Sequence, residues 1–427
     1  MIGVILFALF FIFLFMGLPV GFALGVSSLA AIGHAGYPIT VLAQRMFTAV
    51  DSFPLMAIPL FMLAGALMSH GGITKRIIDF CLCFVGPIRG GLAMVVAITG
   101  IIMGGISGSG VADAAAIGAI MVPEMTKRKY ERPFSGALCA CCGSIGLIIP
   151  PSIAIIIYAC TANVSIGDLF MAAYAPGICI GMGFLIYCYV IGKKKNYPKE
   201  NAVSRDEIWR RFKSAVWALM MPLIIVFGIR GGIFTATGQC NYSASKAGII
   251  SVYGLLVGMF IYKEIKIRDL PGILLEAAES SATIGTIIAA TTLFSWLLTS
   301  EQIPAKITNW MIGLTDNKFL LLLLINILLL ITGMFIDSGP AIMLLAPILC
   351  PVATSIGVNL VQFGLIMVIN LTIGLLSPPV GTAMYVGSNV SGVPIPQISR
   401  ALIPFIGIMF IVLMLVTYIP AFTGWAY

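Results

Sequence analysis

Apolar stretches of roughly 17 to 25 residues recur from Ile2 to Tyr418, separated by short polar turns, and each is long enough to cross a hydrocarbon core of about 30 Å as a helix. Barrel strands would alternate apolar and polar over about ten residues, whereas residues 319–330 are apolar on both parities apart from Asn326. The pattern predicts an all-α polytopic membrane protein. Composition agrees: of 427 residues, 60% are hydrophobic and 9% charged, with a mean hydropathy of +1.08. A soluble domain carries about 25% charged residues. The shortfall excludes a water-soluble enzyme, a disordered chain and a nucleic-acid binder. The N-terminal apolar run lacks a basic flank and a small-residue cleavage site, so it reads as a retained first helix.

Charge sets the expected topology. The net charge of +8 is concentrated: 18 of the 24 Lys and Arg fall at residues 75–89, 127–132, 193–213 and 263–268. The positive-inside rule makes these loops cytoplasmic and puts the N-terminus outside. The longest polar segment, residues 192–213, lies near the midpoint and reads as a cytoplasmic linker, with Trp209 and Phe212 suited to an interfacial helix or simply solvated. It divides the chain into residues 1–191 and 214–427.

The two parts resemble each other. Ile145-Gly-Leu-Ile-Ile-Pro150-Pro151 matches Ile373-Gly-Leu-Leu-Ser-Pro378-Pro379, and Ile98-Thr-Gly100 before Ser107-Gly-Ser-Gly110 matches Ile331-Thr-Gly333 before Asp337-Ser-Gly-Pro340. Flanking charges place the first of these segments beside cytoplasmic Arg89 and the second beside outer Lys318, so the repeats are expected to be inverted. Inverted repeats with Gly/Pro-broken helices at mid-bilayer are a transporter arrangement. Each repeat is expected to hold a re-entrant hairpin (about 92–125 and 319–351) and a Pro-broken helix (about 136–159 and 360–390).

The hairpin tips carry the candidate chemistry. Gly104-Gly-Ile-Ser107-Gly108-Ser109-Gly110 has too little helix propensity to cross unbroken. Proline frees carbonyls of the preceding turn, so a tip facing a broken helix offers neutral oxygens that suit Na⁺ better than ions of higher valence. The candidate ligands are Ser107, Ser109 and the carbonyls of Gly146 and Ile149 in the first repeat, with Asp337, Ser338, Gly339, Ser377 and Thr382 in the second. Gly108, Asp113 and Ser152 complete the candidate substrate region. Buried carboxylates usually mark function; Asp113 and Asp337 either cap helix N-termini or reach the ion directly. Glu276 and Glu279 read as a solvated face. The ten cysteines sit in apolar runs without disulfide or zinc spacing and read as packing residues. A serine protease at Gly105-Ile-Ser107-Gly108 would need a nearby histidine, and His34 and His70 both fall at span ends. A passive channel fits poorly with ion-chelating tips.

Several stretches together resemble the large membrane subunit (DctM type) of tripartite ATP-independent periplasmic, or TRAP, transporters: residues 44–61 (QRMFTAVDSFPLMAIPLF), Ser107-Gly-Ser-Gly-Val-Ala-Asp113, Gly146-Leu-Ile-Ile-Pro-Pro-Ser152, Gly231-Gly-Ile-Phe-Thr235 and Gly333-Met-Phe-Ile-Asp337. The resemblance covers nearly the whole chain. It implies an elevator-type secondary transporter of the ion-transporter-superfamily kind in the bacterial inner membrane, driven by two or more Na⁺ ions and using no organic cofactor. It further implies a small four-helix membrane subunit (DctQ type) and a periplasmic binding protein (DctP type) delivering an organic acid such as sialic acid or a C4-dicarboxylate. A stand-alone Na⁺-coupled carboxylate symporter of the same architecture is the alternative. One departure stands out: where the family pattern has Pro-Thr-Glu leading directly into a helix, this chain has Ala236-Thr237 followed by extra residues 238–244, so a role resting on that carboxylate is not carried over.

Overall fold

A computed structural model describes every residue except 1, 52–56, 202, 231–242, 316 and 427. The unusual segment after Phe234 lies almost wholly outside the described residues. Among those described there are nineteen α-helices and no strand. Five helical stretches are long and apolar enough to cross a bilayer: Ile166–Lys194, Ile267–Ser300, Lys318–Phe335, Ser338–Ser355 and Ile395–Tyr418.

In chain order, α1 (Ile2–Phe15), α2 (Val20–Ala35), α3 (Thr40–Val50), α4 (Ala57–His70) and α5 (Ile73–Val85) come first. Then α6 (Gly91–Ser107) and α7 (Gly110–Lys127) meet at a two-residue reversal. Next α8 (Arg132–Ser144) runs into a short 3₁₀ turn, Ile145–Leu147, and α9 (Ile153–Ala162) resumes beyond the prolines. The long helix α10 (Ile166–Lys194) closes the first half, and α11 (Arg205–Arg230), α12 (Ser243–Leu256) and α13 (Leu270–Ser300) follow. The chain continues through α14 (Ile303–Leu314), α15 (Lys318–Phe335), α16 (Ser338–Ser355), α17 (Leu360–Leu375), α18 (Thr382–Ser391) and α19 (Ile395–Tyr418).

The series α6 to α10 and α15 to α19 correspond element by element. Helix α7 begins at Gly110 and α16 at Ser338, α8 at Arg132 and α17 at Leu360, each pair 228 residues apart. Ten-residue helices such as α9 and α18 rise only about 15 Å, half of a hydrocarbon core, so each needs its partner segment to complete a span. Their packing is reciprocal: α9 lies on α16 and α18 on α7, while α10 contacts α17 and α19 contacts α8. A second group, α1 to α4 with α12 and α13, packs mainly within itself and meets the first group through α13 on α16 and α4 on α6 and α9.

The two reversals are built differently. Gly108 is left-handed (φ +66°), and a side chain there would run into the Pro151 carbonyl, so only glycine lets the tip sit against the broken helix. The second reversal uses two extended residues, Ile336 and Asp337, and Asp337 Oδ1 accepts a 2.8 Å hydrogen bond from the Ser338 amide. Both Pro-Pro bonds, Pro150-Pro151 and Pro378-Pro379, are cis. Close backbone approach also holds the arms: Gly104 lies on Gly146, and Gly333 on Gly374.

Among the described residues of the central polar segment, 195–201, 203 and 204 lie outside helices, and three of them are tied to the first half. Tyr197 stacks on Tyr130 with ring centroids 4.0 Å apart, Glu200 pairs with Arg128, and Lys195 Nζ lies 2.5 Å from Glu131. Trp209 and Phe212 belong to the first turns of α11, which continues as one helix to Arg230. Glu276 and Glu279 belong to α13, with Glu276 Oε2 3.7 Å from His70 Nε2. None of the nine described cysteines is in a disulfide, and Cys139, Cys141 and Cys142 are buried.

Candidate functional site

Five helices begin at one cavity of about 650 Å³. Its wall includes Gly108 to Val111 at the start of α7, Asp337 to Pro340 at the start of α16, Ile153 and Ala154 of α9, Thr382 of α18, and Pro19 to Phe22 at the start of α2. The opposite side is the middle of α13, with Ala282, Thr283, Ile284, Thr286 and Ile287. No Lys, Arg or His is among the lining residues, and Asp337 is their one ionisable side chain. The first amides of a helix lack intrahelical partners, and each N-terminus carries about half a positive charge. Converging N-termini therefore make a site for an anion without a basic side chain.

The opposite polarity lies behind the tips, where α6 and α15 end and where α8 and α17 break. There the free groups are carbonyls. Asp113 sits one turn into α7, only 2% exposed, and faces away from the cavity towards Gly146. Its Oδ2 is buried and has no hydrogen-bond partner. A buried carboxylate oxygen in that condition is costly, and a cation shared with the neighbouring carbonyls would satisfy it. At the cavity wall in the second half, Thr382 Oγ1 is likewise buried without a partner.

The candidate residues divide by location. Gly108, Ser109, Asp337, Ser338, Gly339 and Thr382 are brought together around the cavity. Ser107, Asp113 and Gly146 form a second cluster behind the first tip; the Ser107 hydroxyl accepts from the Ser109 amide at 3.1 Å. Ser152 caps α9: its hydroxyl donates to the Leu147 carbonyl at 2.5 Å and accepts from the Ile155 amide at 3.3 Å. Ser377 donates back to the Ile373 carbonyl at 2.9 Å. Ile149 packs against Gly177 of α10, outside the cavity wall. The two aspartates are not equivalents: Asp337 corresponds in position to Ser109, both being N-caps. His70 lies at the end of α4 beside the Ala66 carbonyl, and the Ser107 hydroxyl has no histidine among its hydrogen-bond partners.

The wall formed by α2 and α13 was not anticipated among the candidate residues. A signal exists, because Ser280-Ser-Ala-Thr283-Ile-Gly285-Thr286 places small and hydroxylated residues inside an otherwise apolar span.

The family model described as "Tripartite ATP-independent periplasmic transporter, DctM component" matches residues 7–422. An isethionate TRAP transporter permease protein DctMQ from Oleidesulfovibrio alaskensis is 40% identical over 98% of this chain, which spans 65% of that longer protein. The sialic acid TRAP transporter large permease protein SiaM of Vibrio cholerae is 38% identical, covering 96% of this chain and 95% of its own. The C4-dicarboxylate TRAP transporter large permease protein DctM of Pseudomonas aeruginosa is 37% identical, with 89% and 87% covered. Among solved structures, the YdaH transporter of Alcanivorax borkumensis superposes with a TM-score of 0.65 at 15% identity, covering 91% of this chain and 89% of its own, a likeness of fold. The sequence relationship, over nearly the whole chain, settles the family: this chain belongs to the DctM family, the large permease component of tripartite ATP-independent periplasmic transporters.

Proposed function

We propose that this permease imports an organic acid together with two or more Na⁺ ions, the anion at the five helix N-termini and the cations at the carbonyl-rich breaks behind the tips. The observation that carries the proposal is the pairing of an anion-binding cavity that lacks basic side chains with the partnerless Asp113 Oδ2 behind it. An anion entering beside Asp337 meets a like charge, so cation binding nearby would lower the cost of its entry. Residues able to hold Na⁺ are Asp113, Ser107 and the Gly146 turn in the first half, and Thr382, Ser338 and the Ser377 turn in the second.

In this reading the halves are inverted repeats. The hairpins and broken helices, joined by their reciprocal packing, move as one elevator body against α1 to α4, α12 and α13. The N-terminus is periplasmic and the membrane is the bacterial inner membrane. A small four-helix subunit and a periplasmic binding protein complete the tripartite system, and relatives named for sialic acid, C4-dicarboxylate and isethionate bound the range of organic acids. Sliding between states requires that ligands bind them differently, and glycine-rich tips ordered by a cation supply such a difference.

The test is uptake into proteoliposomes holding both membrane subunits with the binding protein outside. An inward Na⁺ gradient is expected to drive accumulation above the external concentration. Equal uptake with Na⁺ replaced by K⁺ would reject the coupling.

A further inference from the structure

Nine Lys and Arg gather at one end of the first half: Arg89 before α6, those of residues 127–132 at the turn between α7 and α8, and those of residues 193–199 at and beyond the end of α10. They come from three distant stretches of sequence, and tertiary contacts join them. Arg89 Nη1 donates to Asn196 Oδ1 at 2.5 Å, Lys195 pairs with Glu131, and Arg128 pairs with Glu200. Glu124 pairs with both Lys127 and Arg128. These three carboxylates leave the corner strongly positive, and among the described residues Lys129, Arg132, Lys194 and Lys199 form no ion pair. A cavity of about 790 Å³ opens between them, lined by Lys127, Arg128, Lys129 and Lys195, with Glu131 the one acid among its lining residues. Helix C-termini favour a base, which accounts for Lys127 and for Lys193 or Lys194. The positive-inside rule acts on the number of bases in a loop, not on their meeting around one cavity. Nor does the fold require them: the matching corner of α15, α16 and α17 carries one base, Lys318, whose Nζ donates to the Gly357 carbonyl at 3.2 Å.

We propose that this corner binds the headgroup of an anionic phospholipid whose acyl chains lie along α10. Helix α10 is long and apolar enough to cross the bilayer, and it exposes Ile178, Met182, Ile186, Tyr189 and Val190, a stripe at helical spacing. Lys193 continues the stripe, its Nζ 4.5 Å from the centroid of the Tyr189 ring. Apolar surface for chains and ammonium groups for a phosphate therefore follow one another on a single helix. Basic pockets at the cytoplasmic side of spanning helices suit such headgroups, and the volume falls in the usual range of about 300 to 1,000 Å³ for small-ligand sites. A zwitterionic headgroup would bring its own cation into a corner already rich in them. A free phosphate could use the bases but not the stripe. The site is independent of which acid is carried and of the coupling ion.

The test is native mass spectrometry of the complex of both membrane subunits in detergent, supplied with phosphatidylglycerol and phosphatidylcholine in equal amounts. Phosphatidylglycerol is expected to be retained at least about tenfold in preference. Each base near an anionic headgroup contributes about fivefold, so the triple variant Lys129→Gln, Arg132→Gln, Lys193→Gln should abolish that preference. The control is Lys263→Gln, Lys266→Gln, Arg268→Gln, which removes the same charge from another basic loop and should keep it. Glycerol 3-phosphate, which has the phosphate without the chains, should not displace the lipid at equal concentration. Equal retention of the two lipids, an undiminished preference in the first triple variant or an equal loss in both variants overturns the proposal. Displacement by glycerol 3-phosphate overturns the lipid assignment in favour of a free phosphate. Because the readout is bound lipid, none of these results bears on Na⁺-coupled uptake.

Discussion

Asp113→Asn is expected to lower Na⁺-driven uptake by about a hundredfold while raising the melting temperature of the purified chain in Na⁺-free medium. The two effects have opposite signs for one reason. Asp113 Oδ2 is buried and unpartnered, which costs the ion-free fold about 1 to 3 kcal/mol; the neutral amide has nearly the same shape and less desolvation to overcome. The same charge is what a cation would use, and losing about 3 kcal/mol of ion affinity corresponds to roughly a hundredfold. A purely structural Asp113 would give a different result, with uptake and Na⁺-free stability falling together. Wild-type uptake in the variant would remove Asp113 from the ion site.

Gly108→Ala is the second large expectation, a loss of at least about tenfold in uptake with the protein still folded. A left-handed non-glycine residue costs roughly 1 to 2 kcal/mol. Here the added methyl also meets the Pro151 carbonyl, so the tip must back away from the broken helix that completes the site. Gly357 is the control: its φ of +69° is nearly the same as the +66° of Gly108, but nothing lies within 4 Å of where its Cβ would be. Gly357→Ala therefore carries the backbone strain without displacing the tip, and uptake should stay within about twofold of wild type. Equal losses in the two variants would mean that strain, not tip position, is responsible. The readout is initial uptake rate normalised to folded protein, with thermal melting as the check on folding.

Much of this arrangement was written locally in the chain. Apolar runs marked the helices, glycine and serine marked the break at Gly108 and Ser109, and the paired prolines marked the interruptions before α9 and α18. Those features act through propensity and missing donors, which the sequence carries directly. The part that depends on packing between distant elements was not legible. The small polar run from Ser280 marks α13 as unusual but does not say that its middle faces the hairpin tips, since such a run suits a helix contact equally well. Nor could local sequence distinguish the two aspartates: each stands near a tip, but Asp337 is the N-cap of α16 while Asp113 lies a turn inside α7. Position in register, not residue type, separates their roles. The linker's charges are compatible with water, so its sequence suggests an open or interfacial segment. Its stacking of Tyr197 on Tyr130 is a tertiary contact that composition does not encode.

The most direct test is a pair of electron cryomicroscopy maps of the complex, one recorded in NaCl and one in KCl. The account predicts a compact density feature between the Asp113 carboxylate and the Gly146 turn in Na⁺, missing or displaced in K⁺, with both hairpin tips facing one cavity. Continuous helices through Gly108 and Asp337, or identical maps with no ion feature beside Asp113, would contradict it.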